Sequence, residues 1–358
     1  MMNRRLIQRS GMGNRFFMSV LMITLGLVSA FSVSASPVGV AHKIVKEIPV
    51  RAYPEGVAFA SGKPEAYVTH TKEFIDVIDT SKQQVIDSIK VPGFGFTRIV
   101  TTKDGAHAYA IYFKENSNDW GVAVIDTATH KLVKTLSTGE YRDLGLAISP
   151  DDKYVYVAAS GGHYYRDAPG VVFIDTAKQA VVANVPVIDK DVCEGKCFFP
   201  LPALNVSPDN NYVYASYVNG TAVIDTLTHK VIRKIHFTPG YEPRSALSPD
   251  GHTLYVVSEQ EAFAVNTTSG KIITSNFVVP EHDYSIGATL SQDGSTLYVV
   301  SADQRGKNTG AIGIVDAKSL NVLQTLTDIA APNGLGFMPN SVSTLYVTSR
   351  NDRVYIME

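Results

Sequence analysis

Seven times along this chain a tyrosine-centred apolar run follows a tight turn. The runs are Tyr67-Val-Thr-His70, Ala108-Tyr-Ala-Ile-Tyr112, Tyr154-Val-Tyr-Val-Ala158, Val213-Tyr-Ala-Ser216, Leu254-Tyr-Val-Val-Ser258, Leu297-Tyr-Val-Val-Ser301 and Leu345-Tyr-Val-Thr-Ser349. Within each unit β-branched and aromatic residues alternate, which suits half-buried strands. One copy in full runs from Leu204 to Ile235: a Ser207-Pro-Asp turn, an Asn219-Gly turn and an Asp225-Thr turn separate its apolar stretches into four strands. A period of roughly 40 to 60 residues with four strands per unit means a propeller, one blade per unit.

The turns recur with the strands. Before the tyrosine stand Lys103-Asp-Gly105, Ser149-Pro-Asp151, Ser207-Pro-Asp209, Ser248-Pro-Asp-Gly251 and Ser291-Gln-Asp-Gly294. Proline presets the first turn dihedral, and Asp and Gly complete the turn. After it come Val77-Ile-Asp-Thr80, Val124-Ile-Asp-Thr127, Phe173-Ile-Asp-Thr176, Val223-Ile-Asp-Thr226 and Ile314-Val-Asp-Ala317. The chain thus resembles the YVTN-repeat family of seven-bladed β-propellers, including its exported, YncE-like bacterial members. The resemblance covers nearly everything after the first 35 residues. It implies an all-β, seven-bladed propeller of four-stranded antiparallel blades. It says little about function, because the motif residues are the scaffold.

Residues 1–35 read as a secretory signal peptide, cut after Ala35, and 36–358 as the propeller domain. A basic start with Arg4, Arg5, Arg9 and Arg15 precedes an uncharged run from Phe16 to Val33, and Val33-Ser-Ala35 offers small residues to a peptidase. The competing reading is a retained anchor helix, since the run approaches a membrane span. Export places the protein in the periplasm or outside the cell, with no membrane span after cleavage. The whole chain has a formal charge of −2, and the remainder after the leader is more acidic. A nucleic-acid partner is therefore not favoured by charge.

Val38 to Val50 has the pattern of a fourth strand, yet it comes first. Arg353-Val-Tyr-Ile-Met-Glu358 looks like a third strand with no fourth after it. The expectation is that the N-terminal strand completes the last blade and closes the ring, leaving no open edge at the seam.

In antiparallel blades, second-to-third turns and inter-blade links share one face. Every long insertion is of that kind: Lys114–Trp120, Gly161–Gly170 and Ala302–Asn308 in turns, and Asp189–Phe199 in a link. Binding on a rigid repeat scaffold usually sits on such loops. The recurring Asp79, Asp126, Asp175, Asp225 and Asp316 read as turn caps, because Asn266 fills the same slot in blade five without the charge.

Arg98 and Arg244 stand on innermost strands where the matching positions are Gly56, Gly145, Ala203, Gly287 and Gly334. Two guanidiniums at the channel rim suit bidentate capture of carboxylate or phosphate; alternatively they line a wet channel and pair with Glu55 or Glu242. Aromatics crowd the same links: Tyr53, Phe94, Phe96, Tyr141, Phe198, Phe199, Tyr241 and Tyr284. Trp120, His163, Tyr164 and Tyr165 lie on adjacent loops. They stack bases or sugars, or they pack blade on blade. The ligand-binding candidates are Arg98, Arg142, Arg244, His163, Tyr164, Tyr165, Tyr241 and His282.

Cys193 and Cys197, the two cysteines, read as a disulfide in an oxidising compartment; the alternative is a soft-metal or redox pair. No haem, phosphate-loop, nucleophile-elbow or paired-histidine motif is present, so no cofactor or metal is expected. The expected function is an exported binding or interaction module for a small anionic or ring-containing ligand, or for a protein partner. The family resemblance implies two alternatives. One is single-stranded DNA binding, as in some exported relatives. The other is a lactonase-like or quinoprotein-dehydrogenase-like enzyme, for which His163, Glu242, His282 and Asp283 are the acid–base candidates.

Overall fold

The structure is a computed structural model describing residues 41–139, 141–162, 169–188, 201–237, 243–259, 261–278, 284–302, 309–327, 329–341 and 343–358. A first strand, β1 (Ile44–Pro49), precedes blade one: β2 (Pro54–Ala60), β3 (Glu65–His70), β4 (Phe74–Asp79) and β5 (Gln84–Lys90). Blade two is β6 (Phe94–Thr101), β7 (His107–Lys114), β8 (Trp120–Asp126) and β9 (Lys131–Gly139). Blade three is β10 (Tyr141–Ile148), β11 (Tyr154–Gly162), β12 (Gly170–Asp175) and β13 (Ala180–Pro186). Blade four is β14 (Ala203–Val206), β15 (Tyr212–Tyr217), β16 (Gly220–Asp225) and β17 (Lys230–His236). Blade five is β18 (Arg244–Leu247), β19 (Thr253–Ser258), β20 (Glu261–Asn266) and β21 (Ile272–Phe277). Blade six is β22 (Tyr284–Leu290), β23 (Thr296–Ala302), β24 (Gly310–Asp316) and β25 (Val322–Leu326). Blade seven is β26 (Pro332–Phe337), β27 (Leu345–Ser349) and β28 (Arg353–Met357), completed by β1. All seven sheets are four-stranded and antiparallel, and each inner strand packs against the next around the ring.

The apolar core lies between the blades, one cluster per seam. Tyr67, Ile75 and Val77 of blade one meet Phe96, Ile99 and Ala110 of blade two. The last seam joins Tyr346, Val354 and Ile356 of blade seven to Val57, Phe59 and Val68 of blade one. The seven repeat tyrosines, Tyr67, Tyr109, Tyr156, Tyr214, Tyr255, Tyr298 and Tyr346, are all buried in these seams. The alternation read in the sequence therefore faces neighbouring blades on both sides, and the blades stack face to face like sheets in a sandwich.

The turns follow the capping logic. Asp79 accepts from Ser81 N at 2.9 Å, Asp126 from Thr129 N at 2.7 Å, Asp225 from Thr228 N at 2.7 Å and Asp316 from Ser319 N at 2.7 Å. Asn266 accepts from Ser269 N at 2.7 Å, so the slot needs an acceptor and not a charge. In blades two to five the threonine after this slot, Thr127, Thr176, Thr226 or Thr267, ties the turn to the first-to-second turn beside it. Thr176 Oγ1 donates to Asp152 O at 2.6 Å, and Thr226 Oγ1 to Asn210 O at 2.7 Å; blade six has Ala317 there. In those four blades one face thus carries cross-tied turns.

Closure comes from the N-terminal strand. β1 pairs with β28 through Lys46↔Ile356, Glu47↔Tyr355 and Ile48↔Val354, and Lys43 and Glu358 exchange backbone bonds of 2.9 and 3.1 Å. Ile48 is buried in the seam of blades seven and one. Ahead of the strand, His42 N donates to Gln324 Oε1 at 2.9 Å, Gln324 Nε2 donates back to His42 O at 2.8 Å, and the His42 ring meets the Tyr298 hydroxyl at 3.0 Å.

Deleting residues 36–50 is expected to bare the β28 edge and to cause aggregation or a large fall in melting temperature. Ile48→Ala alone should cost about 2–5 kcal/mol, as for a buried isoleucine in a packed core. Calorimetry and light scattering measure both, and an unchanged, monomeric melting profile for the deletion would contradict closure by β1.

Candidate functional site

Strand ends define the second face. On it, β7 ends at Lys114 and β8 begins at Trp120, β11 ends at Gly162 and β12 begins at Gly170, β23 ends at Ala302 and β24 begins at Gly310, and the β13–β14 link takes up 187–202. The longest connection, 187–202, leaves and returns on this face, as do the seven-residue 163–169 and 303–309. The opposite face carries the Asp-Thr turns and, against the sequence expectation that it is uniformly tight, the seven-residue β26–β27 connection 338–344, longer than the five residues between β7 and β8. The inner strands run inward from this elaborated face and line the centre of the ring.

The seven inner-strand positions singled out in the sequence occupy equivalent places. Gly145, Ala203, Arg244 and Gly287 pair with Ala158, Ser216, Val257 and Val300, each two residues after the repeat tyrosine. Gly56, Arg98 and Gly334 fall in register shifts just ahead of the paired Val57, Ile99 and Leu335.

The reason most of these positions are small is the next blade. A Cβ on Gly334 would lie 2.1 Å from Glu55 O, one on Gly56 would lie 2.7 Å from Thr97 O, and one on Gly145 would lie 3.0 Å from Leu201 O. Where glycine leaves room, threonine from the Tyr-Val-Thr run bridges the seam. Gly334 N donates to Thr348 Oγ1 at 2.7 Å, which donates to Glu55 O at 2.8 Å; Gly56, Thr69 and Thr97 form the same chain. In blade five the threonine position is Val257, and Arg244 supplies the missing donor: its Nε donates to Ile286 O at 2.9 Å. Ile286 precedes Gly287 as Thr97 precedes Arg98 and Glu55 precedes Gly56. Blade two has the same substitution, with Ile111 in place of threonine and Arg98 in place of glycine.

Arg98 and Arg244 are both half-buried. Arg98 lies inside β6, which starts four residues earlier at Phe94. Glu55, considered above as a partner for the arginines, pairs instead with Arg350 Nη2 at 3.7 Å. Phe96 is buried in the seam and Phe94 stacks between Phe96 and Tyr112, so these two rings pack. Trp120 packs on Phe113. Arg142 lies in β10 and Tyr284 in β22, but their side chains fall outside the described residues. His163, Tyr164, Tyr165, Cys193, Cys197, Phe198, Phe199, Tyr241, Glu242, His282 and Asp283 also lie outside them. Among the described residues, no group of three or more His, Cys, Asp or Glu side chains is arranged to hold a metal.

Sequence reading missed one charged group on this face. Asp76, in the middle of β4, is fully buried. Its carboxylate accepts from Arg51 N at 3.1 Å, from Arg51 Nη1 and from Ser88 Oγ at 2.6 Å, and it lies 3.1 Å from His70 Nε2. The other nitrogen of the buried His70 ring faces Ala52 O at 3.2 Å. Burial pushes the Asp76 carboxyl up, but the contacts from His70, Ser88 and the Arg51 N–H outweigh it and hold the group at about 2. The matching residues in the other blades are Ala123, Val172, Ala222, Phe263, Gly313 and Tyr355. A lone carboxylate in that apolar slot was the available signal.

Comparison with known proteins agrees on the fold. No protein-family model matches the chain. The seven-bladed beta-propeller protein Rv1057 of Mycobacterium tuberculosis is 32% identical over 107 residues, which is 29% of this chain. The match spans 25% of that protein's length. Among solved structures, a chain of Kuenenia stuttgartiensis hydrazine synthase superposes with a TM-score of 0.70 over 85% of this chain and 94% of its own. At 17% identity that likeness is one of fold alone.

The Asp76 group sets an acid limb to stability. Its folded value lies below the ordinary 3.8, so its contribution is complete above about pH 4 and is lost as pH falls toward 2. The shift corresponds to about 2 kcal/mol. Urea unfolding between pH 2 and 7 should show Asp76→Asn less stable by about that amount at neutral pH, with the gap closing at pH 2. Parallel curves for the two proteins would contradict this role.

Proposed function

We propose that the chain is an exported, YVTN-type propeller that binds an anionic or flat-ring ligand at the mouth of its central channel, on the loop-elaborated face. The observation that carries this reading is the pair Arg98 and Arg244. They occupy two of seven equivalent inner-strand positions, and the other five hold glycine or alanine. Arginine suits carboxylate and phosphate because its planar fork donates two parallel bonds and never loses its charge. The Nε bond to Ile286 O holds the Arg244 guanidinium in place, which lowers the ordering cost of meeting a ligand. The strand ends that flank the connections 163–169, 187–202 and 303–309 lie on the same face, where a rigid scaffold commonly carries its binding loops. The leader supports export, and an oxidising compartment supports a Cys193–Cys197 disulfide.

Small molecules that co-purify with the mature protein can be identified by mass spectrometry and retitrated calorimetrically. Each charge-assisted contact is expected to contribute on the order of 1.5–3 kcal/mol. Arg98→Gln/Arg244→Gln should therefore weaken binding at least tenfold, and added salt should weaken the wild type modestly. The same variant should melt a few degrees lower, because Arg244 also braces the blade-five seam. Unchanged affinity in a folded double variant would make the arginines seam braces and nothing more.

A further inference from the structure

Tyr53 lies in the strap between the closing strand β1 and the inner strand β2. It is 50% exposed, whereas the repeat tyrosines are buried. Its backbone has φ 59°, a left-handed conformation uncommon for an aromatic residue. Ala331 precedes Pro332 as Tyr53 precedes Pro54, and it has φ 42°, so blades seven and one share this strap conformation. The two differ in what they present: Ala331 is a buried methyl and Tyr53 an exposed ring.

The strap that presents this ring is held along its whole length. Val50 N donates to Asp352 O at 3.1 Å, Arg51 N to Asp76, and Tyr53 N to Asp352 Oδ1 at 3.2 Å. Ala52 O faces the His70 ring, and Tyr53 O accepts from Thr71 N at 3.2 Å. The Arg51 guanidinium, bound to Asp76, also stacks on Phe74 at 4.4 Å from the ring centroid. No other blade has a carboxylate in the Asp76 position. Blade one therefore holds its exposed ring rigidly with a buried ionic group, and preorganisation of this kind is what a recognition surface uses.

Around Tyr53 the charged groups have both signs. Lys72 Nζ stands over one face of the ring, 5.7 Å from its centroid, Asp352 binds the Tyr53 amide, and Glu55, two residues on, pairs with Arg350. Such a rim gives an anion no net attraction. It does offer donors and acceptors side by side, which matches hydroxyl groups that both donate and accept. A tyrosine face covers the C–H face of a pyranose ring while its hydroxyl stays wet.

We propose that Tyr53, through the ring face opposite Lys72, is the platform of a subsite for a neutral saccharide at the seam of blades seven and one, with Glu55, Arg350 and Asp352 as its polar rim. This site is separate in residues and in ligand charge from the arginine pair.

The test uses the mature full-length protein on a printed array of neutral oligosaccharides, with acidic oligosaccharides alongside. Calorimetry then follows with the neutral sugar that gives the strongest signal. The expected result is binding of a neutral oligosaccharide that falls at least tenfold in Tyr53→Ala. It should survive in Tyr53→Phe and Tyr53→Trp, and in Arg98→Gln/Arg244→Gln. Tyr53→Ala should fold, since the side chain is exposed and Ala331 holds the same conformation; its melting curve checks this. Absence of neutral-sugar binding, or equal binding by folded Tyr53→Ala, would overturn the assignment. Binding confined to acidic sugars and lost with the arginine pair would also overturn it, while supporting the channel-mouth reading.

Discussion

The close approach of neighbouring inner strands is the constraint on which this ring depends, and at several seams it is met by a bond from one blade's side chain to a carbonyl on the next. Thr348 makes it to Glu55, Thr69 to Thr97 and Arg244 to Ile286. The inner strands converge, so the chain is most crowded there, and a buried carbonyl without a donor costs about 1–3 kcal/mol. Glycine opens space for the threonine in blades seven and one, and arginine reaches across in blade five; blades three and six, with Ala158 and Val300 in the threonine position beside Gly145 and Gly287, have neither. The buried tyrosines lie in the seams, and closure by β1 makes the last seam equivalent to the rest.

This dependence explains which features were legible in the sequence. The Asp caps and the Ser-Pro-Asp turns are local, since their donors and acceptors lie within five residues, and Asn266 already showed that the slot caps a turn. The strand pattern at both termini announced closure. The cause of the small inner-strand positions was not legible, because the atom that excludes a Cβ at Gly56 belongs to Thr97, a blade away. The brace role of Arg244 was hidden for the same reason. Asp76 was visible only as one acidic residue inside an apolar run, and its partners Arg51, His70 and Ser88 come from three other segments. Of the candidate site, the structure adds detail chiefly at Arg98, Arg244 and the blade-one strap.

Function, on this account, is a property of one face. The opposite face carries, in blades two to five, turns tied to each other through Thr127, Thr176, Thr226 and Thr267. The elaborated face carries departures from the repeat: two arginines in the small-residue ring, a buried carboxylate in an apolar slot and an exposed tyrosine. Departures of this kind cost a repeat protein local consistency, so they are where binding is expected. The arginine pair suits an anion and the Tyr53 rim suits a neutral ring.

The central claim is that Arg244 is at once a seam brace and an anion-binding group. Nuclear magnetic resonance of its side-chain Nε–H measures both properties in one titration with inorganic phosphate. The account predicts a resolved Nε–H that exchanges slowly with water, because Ile286 O accepts it, and that shifts as phosphate is added. Rapid exchange together with no response to phosphate would contradict it.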